Sequence, residues 1–177
     1  MKLYVTRHGK TIINICERVN SINSIGINKE GRMQAKKAGE QIKNMDIDLI
    51  ICSPLRRTRQ TCSILNVNNV EVVYDDRIVE RKANSMQYAK VKNIDVLYWY
   101  DLSHNVIYKN TEGFGALTKR VKDFIEDIKM KYEGNNILIV THGDFCKAVY
   151  SYLKKVYDPK KISEFYQDNC EIVEYDI

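Results

Sequence analysis

Val5-Thr6-Arg7-His8-Gly9-Lys10-Thr11 is the stretch from which the rest of the chain can be read. Met1 to Thr6 reads as a short strand with Leu3 and Val5 apolar, and Gly9 ends it at once. Arg7 and His8 therefore stand at the C-terminal end of a strand, where open α/β sheets bind ligands. A guanidinium is a permanently charged fork suited to phosphate oxygens. An imidazole nitrogen can be neutral and nucleophilic near neutral pH. Taken alone, the tripeptide is equally compatible with a surface Arg-His pair in a strand-to-loop turn, so its meaning rests on what other strand ends bring to the same place.

Downstream, Ile12 to Ile27 reads as irregular, and a helix starts near Asn28, its N-cap, with Met33 or Ala35, Ala38, Ile42 and Met45 at helical spacing. Ile47 to Cys52 is a nearly continuous apolar run, the pattern of a strand buried on both faces. Ser53-Pro54 follows at once and reads as N-cap and first helical residue, which puts Arg56, Arg57 and Arg59 in the first turns of a helix whose core positions are Leu55, Thr58, Cys62 and Leu65. Val70 to Tyr74 is another β-branched run, and Asp75 to Arg81 comes off it. Residues 82–110, with five aromatic side chains and no clean period, are expected to form two short helices and a loop. Leu117, Val121, Phe124, Ile125, Ile128 and Tyr132 then mark a long amphipathic helix that stops near Gly134. Ile137 to Thr141 is a buried strand, His142-Gly143-Asp144 leaves its end with Asp144 read as N-cap, and Phe145, Ala148, Val149, Tyr152 and Leu153 set the next helix. Cys170 to Ile177 reads as a terminal edge strand. Strands alternating with helices imply an α/β fold with a mostly parallel central sheet and helices on both faces.

The 177 residues suit a single domain, 1–177, and the proportions of apolar (44%) and charged (29%) residues are those of an ordinary soluble protein. A net charge of +5, with the signs interleaved and no nucleic-acid motif, favours attraction of small anionic substrates over a nucleic-acid partner. No apolar stretch is long enough for a membrane span and no signal-peptide layout is present. The five cysteines form no C-x-x-C pair, which points to reduced thiols in a cytoplasmic protein. Nothing in the sequence speaks to oligomeric state.

In a parallel sheet the ends after Thr6, Cys52 and Thr141 share one edge, so His8 and His142, two of the three histidines, face each other there together with arginines. His104 carries no motif and is read as a surface residue. At this point the chain resembles the histidine phosphatases of the phosphoglycerate mutase-like superfamily. The resemblance runs through Thr6-Arg7-His8-Gly9-Lys10-Thr11 with Asn14, Asn28-Lys29-Glu30-Gly31, Ser53-Pro54-Leu55-Arg56-Arg57-Thr58-Arg59-Gln60-Thr61, Asp76-Arg77-Ile78-Val79-Glu80 and Val140-Thr141-His142-Gly143. It implies a three-layer sandwich and a phosphomonoester hydrolase that needs neither metal nor cofactor. His8 would take the phosphoryl group, Arg7, Asn14, Arg57 and His142 would hold the phosphate, and Glu80 would be the proton donor, with an ion pair to Arg81 as its rival role. Arg56 and Arg59 are read as a solvated helix face.

The family pattern is broken after Glu80, where Lys82-Ala83-Asn84 replaces a glycine, and at Asp144, whose rival role is a second acid near the phosphate. Residues 82–110 would cover the pocket and choose among small phosphate esters. A mutase that moves the phosphoryl group within one small acid, and a non-catalytic phosphate-binding module, are the competing functions.

Overall fold

The computed structural model describes residues 1–177. Five strands form the central sheet: β1 (Lys2–Arg7), β2 (Leu49–Cys52), β3 (Val72–Tyr74), β6 (Ile137–Thr141) and β7 (Ile172–Asp176), in the order β3-β2-β6-β1-β7. All neighbours are parallel except β7, which lies antiparallel on the edge beside β1. The terminal edge strand, here Ile172–Asp176 within the expected Cys170–Ile177, and the mostly parallel sheet are as read from the sequence, while the antiparallel direction of that edge strand is added by the structure.

Alternation along the strands builds the two cores. Leu3, Val5, Leu49, Ile51, Ile137 and Ile139 turn to one face, where they meet α5 (Phe114–Lys131) and α6 (Gly143–Lys154). Tyr4, Ile50, Cys52, Leu138 and Val140 turn to the other, against α2 (Lys29–Ile42) and α3 (Arg56–Leu65). Because both faces are covered, β2 and β6 are buried at every position, which is why they read as unbroken apolar runs. The result is a three-layer α/β sandwich. No helix is long and apolar enough to cross a membrane.

Several local expectations are corrected. Residues 12–15 are not irregular: α1 (Ile12–Ile15) is closed by a reciprocal Thr11–Asn14 capping box. Met33 is exposed, and Ala35, Ala38 and Ile42 form the core face of α2. Ser53 is not an N-cap. The chain bends at Pro54 and Leu55, and α3 starts at Arg56 with Leu55 in the N-cap position and no side-chain cap. Asp144 is not an N-cap either, since His142 holds that position and Asp144 lies inside the first turn of α6. A further helix, α7 (Pro159–Glu164), is capped by Asp158 and begins with its own proline. Residues 82–110 hold two 3-10 turns, at Asn84–Met86 and Val91–Asn93, the short α4 (Val96–Trp99), and β4 (Val106–Ile107), which pairs with β5 (Thr111–Glu112) as a two-stranded ribbon.

Candidate active site

The sheet order makes β2, β6 and β1 consecutive, so their C-terminal ends put Ser53, His142 and Arg7-His8 side by side. The rings of His8 and His142 meet edge to face with centroids 5.3 Å apart. The chain leaves β1 in a loop fixed on several sides. Gly9 N–H donates to Thr61 Oγ1 at 2.9 Å, Lys10 N–H to Gln34 Oε1 at 2.9 Å, and Asn169 Nδ2 to the His8 carbonyl at 2.7 Å. Gly9 lies so close to the start of α2 that a Cβ there would sit 2.5 Å from the Gly31 carbonyl oxygen.

His8 is 1% exposed, and its Nδ1 lies 2.8 Å from the Gly9 carbonyl oxygen. A carbonyl only accepts, so Nδ1 carries the proton and Nε2 keeps its lone pair. Burial, and then the charges of Arg57 and Arg7, hold the imidazole pKa well below its ordinary value. His142 is fully buried and shifted the same way, by burial and Arg57 first. Its Nε2 is 2.7 Å from Ser53 Oγ, while Nδ1 has no partner in the protein.

Arg57 is fully buried on the inner face of α3, whereas Arg56 and Arg59 on either side of it are exposed. Its Nη2 donates to the Ser21 carbonyl at 2.9 Å and the Asn20 carbonyl at 3.3 Å, and Nε and Nη1 are buried without acceptors. Burial lowers its pKa to about 10, which leaves it charged at neutral pH. Arg7 Nη1 donates to the Gln167 carbonyl at 3.3 Å and its Nε is likewise buried without an acceptor. Asn14 spends its Oδ1 on the Thr11 N–H and hydroxyl, and lines the same cavity as Arg7 and His8.

Glu80, 9% exposed, borders that cavity. Burial, and next the charge of Asp144, raise its pKa to about 7, while the Arg81 N–H bonded to Oε1 at 3.0 Å and the arginines oppose the rise. Arg81 is not the ion-pair partner of Glu80. Its guanidinium lies 4.1 Å over the Trp99 ring and 3.5 Å from Asp144 Oδ2, and Nε donates to the Glu112 carbonyl at 2.6 Å. Asp144 in turn accepts from Trp99 Nε1 at 3.0 Å and from Tyr100 Oη at 3.1 Å. Residues 82–110 are thereby tied to the first turn of α6, and they also pair with the chain at 17–19 through Val19 N–H to Ala89, Tyr88 N–H to Val19 and Val91 N–H to Glu17.

His8, Arg7, Asn14, Arg57, Glu80 and His142 thus all converge, and His104 sits apart on the surface beside Asp101. Ser53 and Thr61 were missed as site-building residues. Ser53 carried a signal, the Ser-Pro pair after a strand, but its hydroxyl serves His142 instead of a helix terminus.

A sequence profile of the histidine phosphatase superfamily (branch 1) matches residues 3–177. Phosphoserine phosphatase 1 of Hydrogenobacter thermophilus is 26% identical over 184 residues, spanning 100% of this chain and 85% of that protein. The adenosylcobalamin/alpha-ribazole phosphatase of Salmonella typhimurium is 26% identical over 160 residues, 80% of this chain and 74% of that one. Among solved structures, YhfR of Bacillus stearothermophilus superposes with a TM-score of 0.87 at 22% identity, covering 99% of this chain and 91% of that one, a likeness of fold.

Proposed function

The chain belongs to the histidine phosphatase superfamily, branch 1, as a phosphoric monoester hydrolase of small phosphorylated metabolites, and from that premise we propose which residues do the work. His8 is the nucleophile, Arg7, Asn14, Arg57 and His142 hold the phosphate, and Glu80 is the acid and then the base. The observation that carries this assignment is a set of buried donors with no acceptor in the protein: Arg7 Nε, Arg57 Nε and Nη1, and His142 Nδ1, gathered around the free Nε2 of His8. A dianionic phosphate monoester supplies the acceptors those donors lack.

His8 Nε2 attacks phosphorus as the ester P–O bond breaks. The leaving alkoxide takes the proton of Glu80, a carboxyl kept neutral near pH 7 by burial and by Asp144. Ser53 Oγ–H donating to His142 Nε2 fixes the tautomer in which Nδ1–H points to a phosphate oxygen. Water then attacks the phosphohistidine, Glu80 takes its proton, and the P–N bond breaks to restore His8. Transfer within one substrate, as in a mutase, needs a phosphohistidine sealed from water. Here Val91 and Val96 at the cavity mouth remain 48% and 43% exposed, which favours hydrolysis. Residues 82–110 wall the cavity and select the substrate. We place the protein in the cytoplasm, a reading supported by five unpaired cysteines, four of them buried thiols.

Rapid quenching with a ³²P-labelled alkyl phosphate tests the reading. An acid-labile, alkali-stable label on the peptide bearing His8 is expected, with steady phosphate release, and His8→Ala should abolish both. Undiminished turnover by His8→Ala would overturn the assignment.

A further inference from the structure

Glu80 stands at the start of residues 80–83, which belong to no helix or strand, so no regular ladder fixes its backbone. Two charged side chains do so instead. Arg120 of α5 donates through Nη1 to the Arg77 carbonyl at 2.6 Å and the Val79 carbonyl at 2.9 Å, just before Glu80. Its other edge forks onto Glu112 of β5, Nε to Oε1 at 3.1 Å and Nη2 to Oε2 at 2.9 Å. Glu112 in turn holds the chain just after Glu80. Its Oε2 accepts from the Lys82 N–H at 3.1 Å, its own N–H donates to the Lys82 carbonyl at 2.8 Å, and its carbonyl accepts from Arg81 Nε at 2.6 Å.

The side chains of Arg120 and Glu112 are only 18% and 14% exposed, so these charge-assisted bonds are little weakened by water. Neither residue lines the cavity, and both reach the reaction only through the chain they hold. Their partners flank Glu80 on both sides, so a shift of either one moves its carboxyl relative to the leaving oxygen. Proton transfer needs hydrogen-bond reach, and a misplacement of about 1 Å can cost about 10²-fold in rate. The planar fork of an arginine can bond a carboxylate side-on and still turn a nitrogen to two carbonyls, which the point charge of a lysine cannot do.

We propose that Arg120 and Glu112 are positioning residues for Glu80, a clamp that closes on the chain before and after it and sets its carboxyl at the leaving oxygen. The proposal rests on the phosphatase reading for the part that Glu80 plays, and one of its two tests needs no turnover.

In the first, kcat/KM is measured for an alkyl phosphate, which needs the proton, and for an aryl phosphate, which scarcely does. Arg120→Lys and Glu112→Gln should each slow the alkyl ester by about 10–10² and the aryl ester by less than about threefold. In Glu80→Gln, which cannot deliver the proton, adding Arg120→Lys should cost the alkyl ester nothing more. Val121→Ala, a core substitution one residue along α5, should affect both esters alike. Equal losses on the two esters in Arg120→Lys, or a full further loss on the Glu80→Gln background, would overturn the proposal. In the second, the ¹³C carboxyl resonance of Glu80 is identified by its absence from Glu80→Gln and followed with pH. Faced by Asp144 of α6, Arg57 of α3 and Arg7 of β1, and bonded to the Arg81 N–H, the wild-type carboxyl should titrate at about 7. In Arg120→Lys, as the carboxyl leaves its buried place, the midpoint should fall by about one unit or more towards the ordinary 4.5. An unmoved midpoint would overturn the clamp. A protein that hydrolyses neither ester but whose Glu80 midpoint falls as expected would uphold the clamp and sink the phosphatase reading instead.

Discussion

At the scale of single residues, neighbours in sequence have opposite fates. Arg56 and Arg57 are adjacent, yet one is in solvent and the other fully buried with two unpartnered nitrogens aimed among the histidines. Arg57→Ala should lower kcat/KM by about 10²–10³, the usual loss for one preorganised donor, whereas Arg56→Ala should stay within about twofold. Steady-state assays of the two variants decide it, and equal losses would overturn the assignment of Arg57. Glu80 gives a second prediction, because its carboxyl titrates at about 7 while His8 stays neutral well below its ordinary value. For alkyl phosphates kcat/KM should therefore fall above about pH 7 as Glu80 loses its proton, and on the acid side near pH 6 as the ester loses its dianion. Aryl phosphates, which scarcely need a proton on departure, should lack the alkaline limb. Glu80→Gln should slow alkyl esters by about 10²–10⁴ and aryl esters much less, with the alkaline limb gone. An unchanged limb in that variant would exclude Glu80 as its source.

At the scale of elements, the helices and strands that pack on the sheet were legible because burial imposes a period. The core positions of α5 and the runs of β2 and β6 leave no other reading. What failed were contacts made far along the chain. Ser53 reads as a cap until its hydroxyl is given to His142, 89 residues on, and Asp144 until its oxygens are taken by Trp99 and Tyr100, more than forty residues back. Residues 82–110 lack a readable period because their backbone turns at Asn84, Tyr88, Tyr108, Lys109 and Asn110, all with positive φ and none a glycine. That Arg7, His8, Arg57 and His142 meet at one edge of the sheet was legible, since a strand end followed by Gly, or by Ser-Pro, can be recognised without knowing distant partners, whereas Asn14 and Glu80 were suggested by the family resemblance alone. The contact of α2 with the His8 loop is an element-scale device: a Cβ on Gly31 would lie 2.4 Å from the Lys10 carbonyl oxygen and 2.6 Å from its nitrogen. Gly31→Ala should therefore destabilise by about 1–3 kcal/mol in urea unfolding and lower kcat by shifting the loop, although residue 31 touches no substrate. Wild-type stability in that variant would show that the helix start yields freely.

At the scale of the whole molecule, the ends of β1 and β6 and the chain after β3 bury three titratable groups at one point, and this ties folding to pH. His8 and His142 are held neutral, each below its ordinary 6.5, so below that pH the unfolded chain binds two protons that the native state refuses. Both contribute stability that is present above 6.5 and lost on acidification. Glu80 acts in the opposite sense. Its pKa is about 7 when folded against an ordinary 4.5, so between those values the native state holds one proton that the unfolded chain lacks. Its contribution grows on acidification and is complete below 4.5. Between pH 6 and 5 the two histidines outweigh the one carboxyl by a single proton, and a one-proton difference changes the unfolding free energy by about 1.4 kcal/mol per pH unit. The wild-type protein should lose about that much stability from pH 6 to pH 5, measured by urea unfolding at constant m-value. Glu80→Gln removes the opposing proton and should about double the slope, whereas His8→Ala removes one histidine and should flatten it. A wild-type slope that Glu80→Gln leaves unchanged would mean that Glu80 binds its proton equally well in both states. The raised pKa on which its role as leaving-group acid rests would then be absent.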